Sequence, residues 1–170
     1  MNIAVRPMAL SETGIVIDYF HRSTPEHLEM LGVDPTRLLP PDDWRARFAD
    51  DFALPLDRHP RFFLIWFTGG EPAGFSSCDK ILFGESAFMH LHVTKPDNRM
   101  RGIGTACVRQ SVEIYFRELK LKRLFCEPNA YNTGPNRTLQ KAGFKFVKTH
   151  MTVPGPLNFH QAVNRWLIDR

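Results

Sequence analysis

The chain has 170 residues, of which 43% are hydrophobic and 24% are charged. This length is typical of one domain and suffices for a hydrophobic core without disulfides or a structural metal. The N-terminus lacks the apolar core of a signal peptide, and no apolar run is long enough to cross a membrane, so we expect a cytoplasmic protein with no membrane partner. The three cysteines, Cys78, Cys107 and Cys126, show no metal-ligand spacing, so we expect reduced structural residues and no metal site.

The net charge of +4 is distributed unevenly along the chain. Residues 95–148 hold twelve basic and four acidic residues, whereas residues 24–58 hold eight acidic and four basic residues. Two solvated faces of opposite sign would explain this pattern, and a basic nucleic-acid-binding protein is an alternative. The basic residues are not interleaved with an exposed aromatic motif, so we expect an anionic cofactor and no nucleic acid.

The hydrophobic patterning predicts a strand, three helices, three antiparallel strands, a helix, a strand, a helix and two strands. In chain order these are residues 2–8, 11–22 with Ser11 as N-cap, 24–32, 40–52, 61–68, 73–82, 87–94, a helix after the loop 99–105, 122–127, 135–142, 144–153 and 159–168. The prediction is one domain, 1–170, without repeats or linkers.

The most informative segment is the basic, glycine-containing loop at residues 99–105, which leads directly into an amphipathic helix. Gly102 and Gly104 allow close approach to the backbone, and the first helical N–H groups attract anions, so the segment is suited to a pyrophosphate. No lysine follows Gly104 as a P-loop requires, and Cys107 stands where a dinucleotide-binding motif has its third glycine. An ordinary tight turn with solvated arginines is the alternative.

The element order, the loop Arg99-x-x-Gly102-x-Gly104 and the run at residues 132–144 together resemble the GCN5-related N-acetyltransferase (GNAT) superfamily. The resemblance implies an α/β (α+β) fold whose mixed, mostly antiparallel sheet of about seven strands splays apart between strands 4 and 5. It implies acetyl-CoA, or another short acyl-CoA, as cosubstrate. The expected cofactor-binding residues are Leu91, His92, Val93, Arg99, Met100, Arg101, Gly102, Ile103, Gly104, Thr105, Asn132 and Asn136, with a backbone N–H near Val93 holding the oxyanion.

The acceptor is not determined by this resemblance. Residues 127–132, followed by Arg137-x-Leu139-x-x-x-Gly143-Phe144, look like the branch that acetylates hydroxylysine in siderophore assembly. Asn129 replaces an aspartate expected there, and residues 153–158 lack the basic residue of that branch. Ribosomal-protein and aminoglycoside acetyltransferases are looser matches.

His90 and Glu127 are the candidate catalytic residues, because an amine needs a base before it attacks a thioester. His90 occupies the position of a catalytic histidine in the siderophore branch, and its alternative role is that of a core histidine. Glu127 could act through a water, or could simply pair with Arg99 or Arg123. Leu139 stands near the position where many family members carry a tyrosine acid, which leaves Tyr131 or solvent to protonate the leaving thiolate.

The sequence thus predicts an enzyme that transfers an acetyl group to an amine, including a hydroxylamine, by direct transfer in a ternary complex. Residues 19–21, Trp44 and Phe48 are candidates for the acceptor pocket, and core packing is their alternative. The acidic excess of residues 24–58 favours a cationic acceptor. A catalytically silent acyl-CoA-binding module is the alternative function, and the prediction allows a homodimer.

Overall fold

A computed structural model describes residues 2–94 and 102–170. The strands are β1 (Ile3–Pro7), β2 (Phe62–Thr68), β3 (Glu71–Leu82), β4 (Ser86–Val93), β5 (Arg123–Cys126), β6 (Lys145–Thr152) and β7 (Gln161–Asp169). The α-helices are α1 (Thr13–His21), α2 (Pro25–Leu31), α3 (Pro41–Phe52), α4 (Ile103–Glu118) and α5 (Thr133–Ala142). The predicted order of elements is confirmed.

The seven strands form one sheet in the order β1-β2-β3-β4-β5-β7-β6. The pair β4–β5 is parallel and the other pairs are antiparallel, so the predicted mixed, mostly antiparallel sheet is correct. The parallel pairing runs from Ser86 opposite Arg123 to Met89 opposite Cys126. Strand β4 continues to Val93 while β5 ends at Cys126, so the sheet opens at this point, as expected for strands 4 and 5.

Each face of the sheet carries its own hydrophobic core because side chains alternate along the strands. One core packs α4 and α5 against residues such as Met89 and Leu124. The other packs α1, α2 and α3 against residues such as Ile65 and Phe75. The alternation in β4 therefore turns Met89 and Leu91 towards α4, and His90 and His92 towards α1–α3.

The helix ends confirm the predicted limits of α2 and contradict the predicted start of α1. In α2, the Thr24 side chain accepts from the His27 amide, and Gly32 ends the helix in the left-handed conformation, as predicted. The expected cap at Ser11 is wrong, because Leu10–Glu12 forms a 3₁₀ turn and α1 begins at Thr13. Glu12 reaches back to accept from the Ala9 amide at 2.8 Å, which stabilises the 3₁₀ turn instead.

The three cysteines are unpaired and buried, as the sequence analysis predicted. Burial raises the pKa of Cys107 to about 12, and it also raises the pKa values of Cys78 and Cys126, so the thiols stay protonated at neutral pH. Within residues 2–94 and 102–170, no helix is both long and apolar enough to cross a membrane. The same residues contain no group of three His, Cys, Asp or Glu side chains arranged to hold a metal ion.

Candidate active site

A cavity of about 240 Å³ lies on the α1–α3 face of the sheet, where β4 and β5 separate. Its floor includes Met89–His92 of β4 and residues 126–129 that follow β5. Phe20 of α1 and Trp44 of α3 form part of its wall, and residues 154–158 of the β6–β7 loop close another side. Phe20 and Trp44, which the sequence proposed for an acceptor pocket, therefore line the cavity, whereas Phe48 packs in the core at 2% exposure.

His90 lines this cavity and is held by a carboxylate. Its Nε2 lies 3.0 Å from Oδ1 of Asp79, which is almost completely buried on β3. Asp79 is not among the site residues predicted from the sequence. The register of the β3–β4 hairpin would have found it, because Ser77 lies opposite His90 and Asp79 is therefore its diagonal neighbour on the same face.

The β6–β7 loop reaches over this pair of side chains. A Cβ atom added to Gly155 would lie 3.2 Å from Cε1 of His90 and 3.6 Å from Oδ2 of Asp79. The loop is tethered by Lys80, whose Nζ donates to the Pro154 carbonyl at 3.0 Å. The absence of a side chain at Gly155 therefore leaves room for the imidazole beneath the loop.

His92 has an aromatic environment that differs from that of His90. Its ring centroid lies 4.8 to 5.2 Å from those of Phe75, Phe20 and Tyr19. Desolvation, followed by the charges of His90 and His27, lowers the pKa of His92 to about 3. Its Nδ1 is buried and has no hydrogen-bond partner among the described residues. His92 is therefore a neutral part of the cavity wall.

Glu127 also lines the cavity, but its carboxylate is engaged by two neighbouring side chains. Its Oε1 accepts from Nε of Arg165 at 2.6 Å and lies 3.3 Å from Nε2 of His150. Arg123, one of the partners considered from the sequence, instead pairs with Glu85 at 2.8 Å. Arg99, the other, lies outside the described residues. Glu127 is therefore a buried carboxylate whose charge is neutralised by Arg165 of β7, with the His150 imidazole of β6 beside it.

The start of α4 has the geometry expected of an anion-binding loop, as far as the structure describes it. Gly102 is the N-cap in the left-handed conformation, with φ of 75°. A Cβ on Gly104 would touch Thr138 of α5 at 3.7 Å and Val93 at 4.0 Å, so the helix start lies beside the end of β4. The N–H groups of the first turn have no acceptor within the helix. The predicted cofactor contacts Arg99, Met100 and Arg101 lie outside the described residues.

Beyond Met89, the edge of β4 that faces β5 lacks that strand as a partner. The Thr94 amide donates to the Ala73 carbonyl of β3 at 3.0 Å, and backbone direction alternates along a strand. The backbone groups of Leu91 and Val93 therefore face the opening, and those of His92 face β3. Leu91 and His92 both line the cavity.

Asn132 and Asn136, the two predicted cofactor ligands after β5, differ in their hydrogen bonding. Nδ2 of Asn136 donates to the carbonyls of Asn129 and Asn132, at 3.0 and 2.7 Å. Its Oδ1 accepts from Asn164 and Trp166 at 3.0 and 2.9 Å, so the amide is fully used within the protein. Asn136 therefore holds the loop in place, while Asn132 itself lines the cavity.

Leu139 and Tyr131 are the two positions considered for an acid that protonates the leaving thiolate. Leu139 is completely buried in the core of α4 and α5. Tyr131 is 86% exposed and is not among the described residues that line the cavity. Neither position therefore places a tyrosine hydroxyl in the described cavity.

The charged residues that α3 and its neighbours contribute to the cavity are basic. Arg37, Arg47 and Arg61 line it. Among the described residues, none of the eight acidic residues of segment 24–58 does. The acidic excess of this segment therefore faces elsewhere, which removes the basis for expecting a cationic acceptor from its composition.

The family of the chain is shown by its sequence. The model of the Acetyltransferase (GNAT) family matches residues 24–144, so the chain belongs to this family and is an N-acetyltransferase by class. A search of curated proteins gives no significant match.

Solved structures share the fold over almost the whole chain at low identity. The aminoglycoside acetyltransferase AAC(6')-Ib, in complex with ribostamycin and coenzyme A, is 17% identical over 100% of this chain and 94% of that chain, with a TM-score of 0.74. RimL, a ribosomal L7/L12 alpha-N-protein acetyltransferase in complex with coenzyme A, is 15% identical over 99% and 94%, with a TM-score of 0.76. Spermidine N-acetyltransferase from Vibrio cholerae, with CoA and spermine, is 11% identical over 98% and 95%, with a TM-score of 0.78.

Proposed function

We propose that this protein transfers the acetyl group of acetyl-CoA directly to an amine acceptor, with both substrates bound at once. The observation that carries the proposal is the His90–Asp79 pair, which lies in the cavity where β4 and β5 separate. The family match and the structures of CoA-bound relatives with the same fold support the choice of cosubstrate.

Acetyl-CoA would lie across the opening between the two strands. Its pyrophosphate would bind at the α4 N-terminus, where backbone N–H groups and the helix dipole favour an anion, with Arg99, Met100 and Arg101 preceding Gly102–Thr105. The thioester arm would follow the edge of β4 at Leu91–Val93, with Asn132 on the other side. A backbone N–H of that edge would stabilise the oxyanion.

His90 would accept the proton of the acceptor amine. The Asp79 carboxylate favours the tautomer that carries hydrogen on Nε2, which leaves Nδ1 with a lone pair. Amines of ordinary pKa, about 10.4, are protonated at neutral pH and need a base to become nucleophiles. The amine nitrogen then bonds to the acetyl carbon and the carbon–sulfur bond breaks. The nitrogen releases its second proton to solvent, which leaves a neutral amide, and the thiolate leaves as an anion or takes a proton from solvent.

Removing the base tests this assignment. We expect His90→Gln and Asp79→Asn each to lower turnover, by about a hundredfold for His90, while acetyl-CoA binding measured by calorimetry stays unchanged. His160→Gln is the matched control because this histidine is exposed and outside the cavity lining. Near-normal turnover and an unchanged pH profile in His90→Gln would exclude His90 as the base and turn attention to Glu127.

A silent acyl-CoA-binding module is the second candidate, favoured by the burial of Leu139 where a tyrosine acid would be expected. Measuring CoA release with amines, hydroxylamines, aminoglycosides, polyamines and peptide N-termini separates the two. We expect release with at least one class. A folded protein that binds acetyl-CoA and releases no CoA with any class would favour the silent module.

The reduced, buried cysteines accord with the cytoplasm as the compartment.

A further inference from the structure

The acceptor side of the cavity carries more positive charge than its carboxylates neutralise. Its charged lining consists of Arg37, Arg47, Arg61, Asp79 and Glu127. Glu127 is neutralised by Arg165, and Asp79 is hydrogen-bonded to His90. The acidic groups of the lining are therefore already engaged with other side chains.

The three arginines differ in how fully they are used by the protein. Arg61 is half-buried and donates to Asp51 through Nε at 2.8 Å, so its charge is matched by a buried carboxylate. Arg37 has a looser partner, since its Nε lies 3.5 Å from Oδ2 of Asp34. Asp34 also accepts hydrogen bonds from the amide and hydroxyl of Thr36, at 3.0 and 2.7 Å, so Arg37 is not its only partner.

Arg47 lies on the exposed side of α3 at the cavity and has neither an ion pair nor a side-chain hydrogen bond among the described residues. The nearby Arg45 gives a contrast on the same helix, because it pairs with Asp42 at 2.8 Å and is not part of the described cavity lining. A guanidinium presents five donors in a planar arrangement suited to carboxylate and phosphate oxygens. Arg47 therefore has its whole donor set available to a molecule in the cavity.

We infer that the acceptor carries a carboxylate or phosphate group in addition to its amine, and that Arg47, assisted by Arg37, binds this anionic group. This inference rests on the proposed function. The amine end would face His90, and Trp44, Leu39 and Phe63 would supply the apolar wall of the same cavity. The arrangement selects amino acids or phosphorylated amines over simple polyamines.

Matched amines that differ only in the anionic group test the inference. Lysine is compared with 1,5-diaminopentane, and phosphoethanolamine with ethanolamine, each for kcat/KM and for binding to the CoA-loaded enzyme by calorimetry. We expect the anionic member of at least one pair to bind and react better, by about tenfold or more, because a hydrogen-bonded charge pair is strong. The pair that responds distinguishes a carboxylate from a phosphate.

Arginine variants assign the effect to its residue. Arg47→Gln should remove most of the preference for the anionic amine, Arg37→Gln should reduce it, and Arg45→Gln should leave it unchanged. None of the three should change the affinity for acetyl-CoA. A preference that survives in Arg47→Gln, or an equal or better response to the uncharged or cationic members, would overturn the inference while leaving the transferase function intact.

The failure of the proposed function would look different. In that case wild-type protein would fail to bind acetyl-CoA, or would release no CoA with any acceptor class. If acetyl-CoA binds but no small amine reacts, calorimetry of amine binding to the CoA-loaded enzyme still tests the role of Arg47. Absence of binding by both anionic amines to the CoA-loaded enzyme then overturns the inference.

Discussion

His90 and His92 are two residues apart on one face of β4, and their neighbours give them different roles. His90 contacts a carboxylate, whereas His92 contacts aromatic rings and has a buried Nδ1 without a hydrogen-bond partner in the described part of the chain. A neutral imidazole tolerates the apolar site, but an imidazolium would be buried there without compensation. His92 should therefore affect the stability of the protein in acid more than its chemistry.

The pH dependence follows from the pKa of His92, which is lowered from 6.5 to about 3 by desolvation. Above about pH 6.5 the residue is neutral in both folded and unfolded states, so it adds no pH dependence. As the pH falls from 6.5 towards 3, the unfolded state binds a proton that the folded state does not, and stability falls by about 1.4 kcal/mol per pH unit.

Denaturant unfolding of His92→Phe between pH 7 and 4 measures this contribution. We expect the slope of the free energy of unfolding against pH to decrease by about 1.4 kcal/mol per pH unit, which corresponds to one proton, since phenylalanine does not titrate. The exposed His160→Gln serves as control and should keep the wild-type slope. An unchanged slope in His92→Phe would show that another group causes the acid sensitivity.

At the scale of the element, the start of α4, where we propose that an anion binds, contains a glycine in the left-handed conformation. Gly102 has a positive φ, but a Cβ there would meet nothing within 4 Å. A larger residue would therefore be disfavoured by its backbone conformation, costing about 1 kcal/mol, and not by collision with the protein. A pyrophosphate bound close to the Gly102 backbone would, however, clash with any larger side chain at this position.

Gly102→Val should therefore lose a modest amount of stability and a large part of its affinity for acetyl-CoA, measured by calorimetry. Gly69→Val is the matched control because Gly69, in the β2–β3 turn, also has positive φ and open space around it. The control should lose stability and keep its affinity. Equal affinities in the two variants would show that the cofactor does not lie over the α4 N-terminus.

At the scale of the whole molecule, the helices before β2 are linked to β7 through Gly32 and Gln161. Nε2 of the buried Gln161 donates to the Gly32 carbonyl at 2.8 Å, and its Oε1 accepts from Asn129 at 2.9 Å. A Cβ on Gly32 would lie within 2.4 Å of the Gln161 amide, and φ there is +71°, so a larger residue would displace this amide and adopt a disfavoured backbone conformation. This contact connects α2, the loop after β5 and β7 around the cavity.

Gln161→Leu should lower the free energy of unfolding by about 1–3 kcal/mol, since Asn129 loses its partner in a partly buried site. For a protein of this size, that corresponds to a Tm lowered by about 2–4 °C per kcal/mol. Gln110→Leu is the control, because Gln110 is exposed and its only described side-chain bond, to the Ile3 carbonyl, is 3.5 Å long. Similar Tm values for both variants would contradict the linking role of Gln161.

The sequence by itself determined the order of the elements, and the family resemblance implied the opening of the sheet. Helical and strand periodicity, together with end signals such as Thr24 and Gly32, are local properties that survive without knowledge of the rest of the chain. The family resemblance was read from short motifs around Gly102 and Gly143 for the same reason. The resemblance also indicated His90 as a site residue, because His90 lies a short and countable distance before the glycine loop in the sequence.

Only the tertiary structure decided which residues meet in the cavity. Asp79 reaches His90 through strand register, and Arg165 and His150 reach Glu127 from strands that follow it in the chain. The acidic composition of residues 24–58 suggested a cationic acceptor, yet Arg37 and Arg47 are the charged residues of that segment that line the cavity in the described part of the chain. Composition sums charge over a segment, whereas recognition depends on the face each side chain occupies, and that face is fixed by long-range packing.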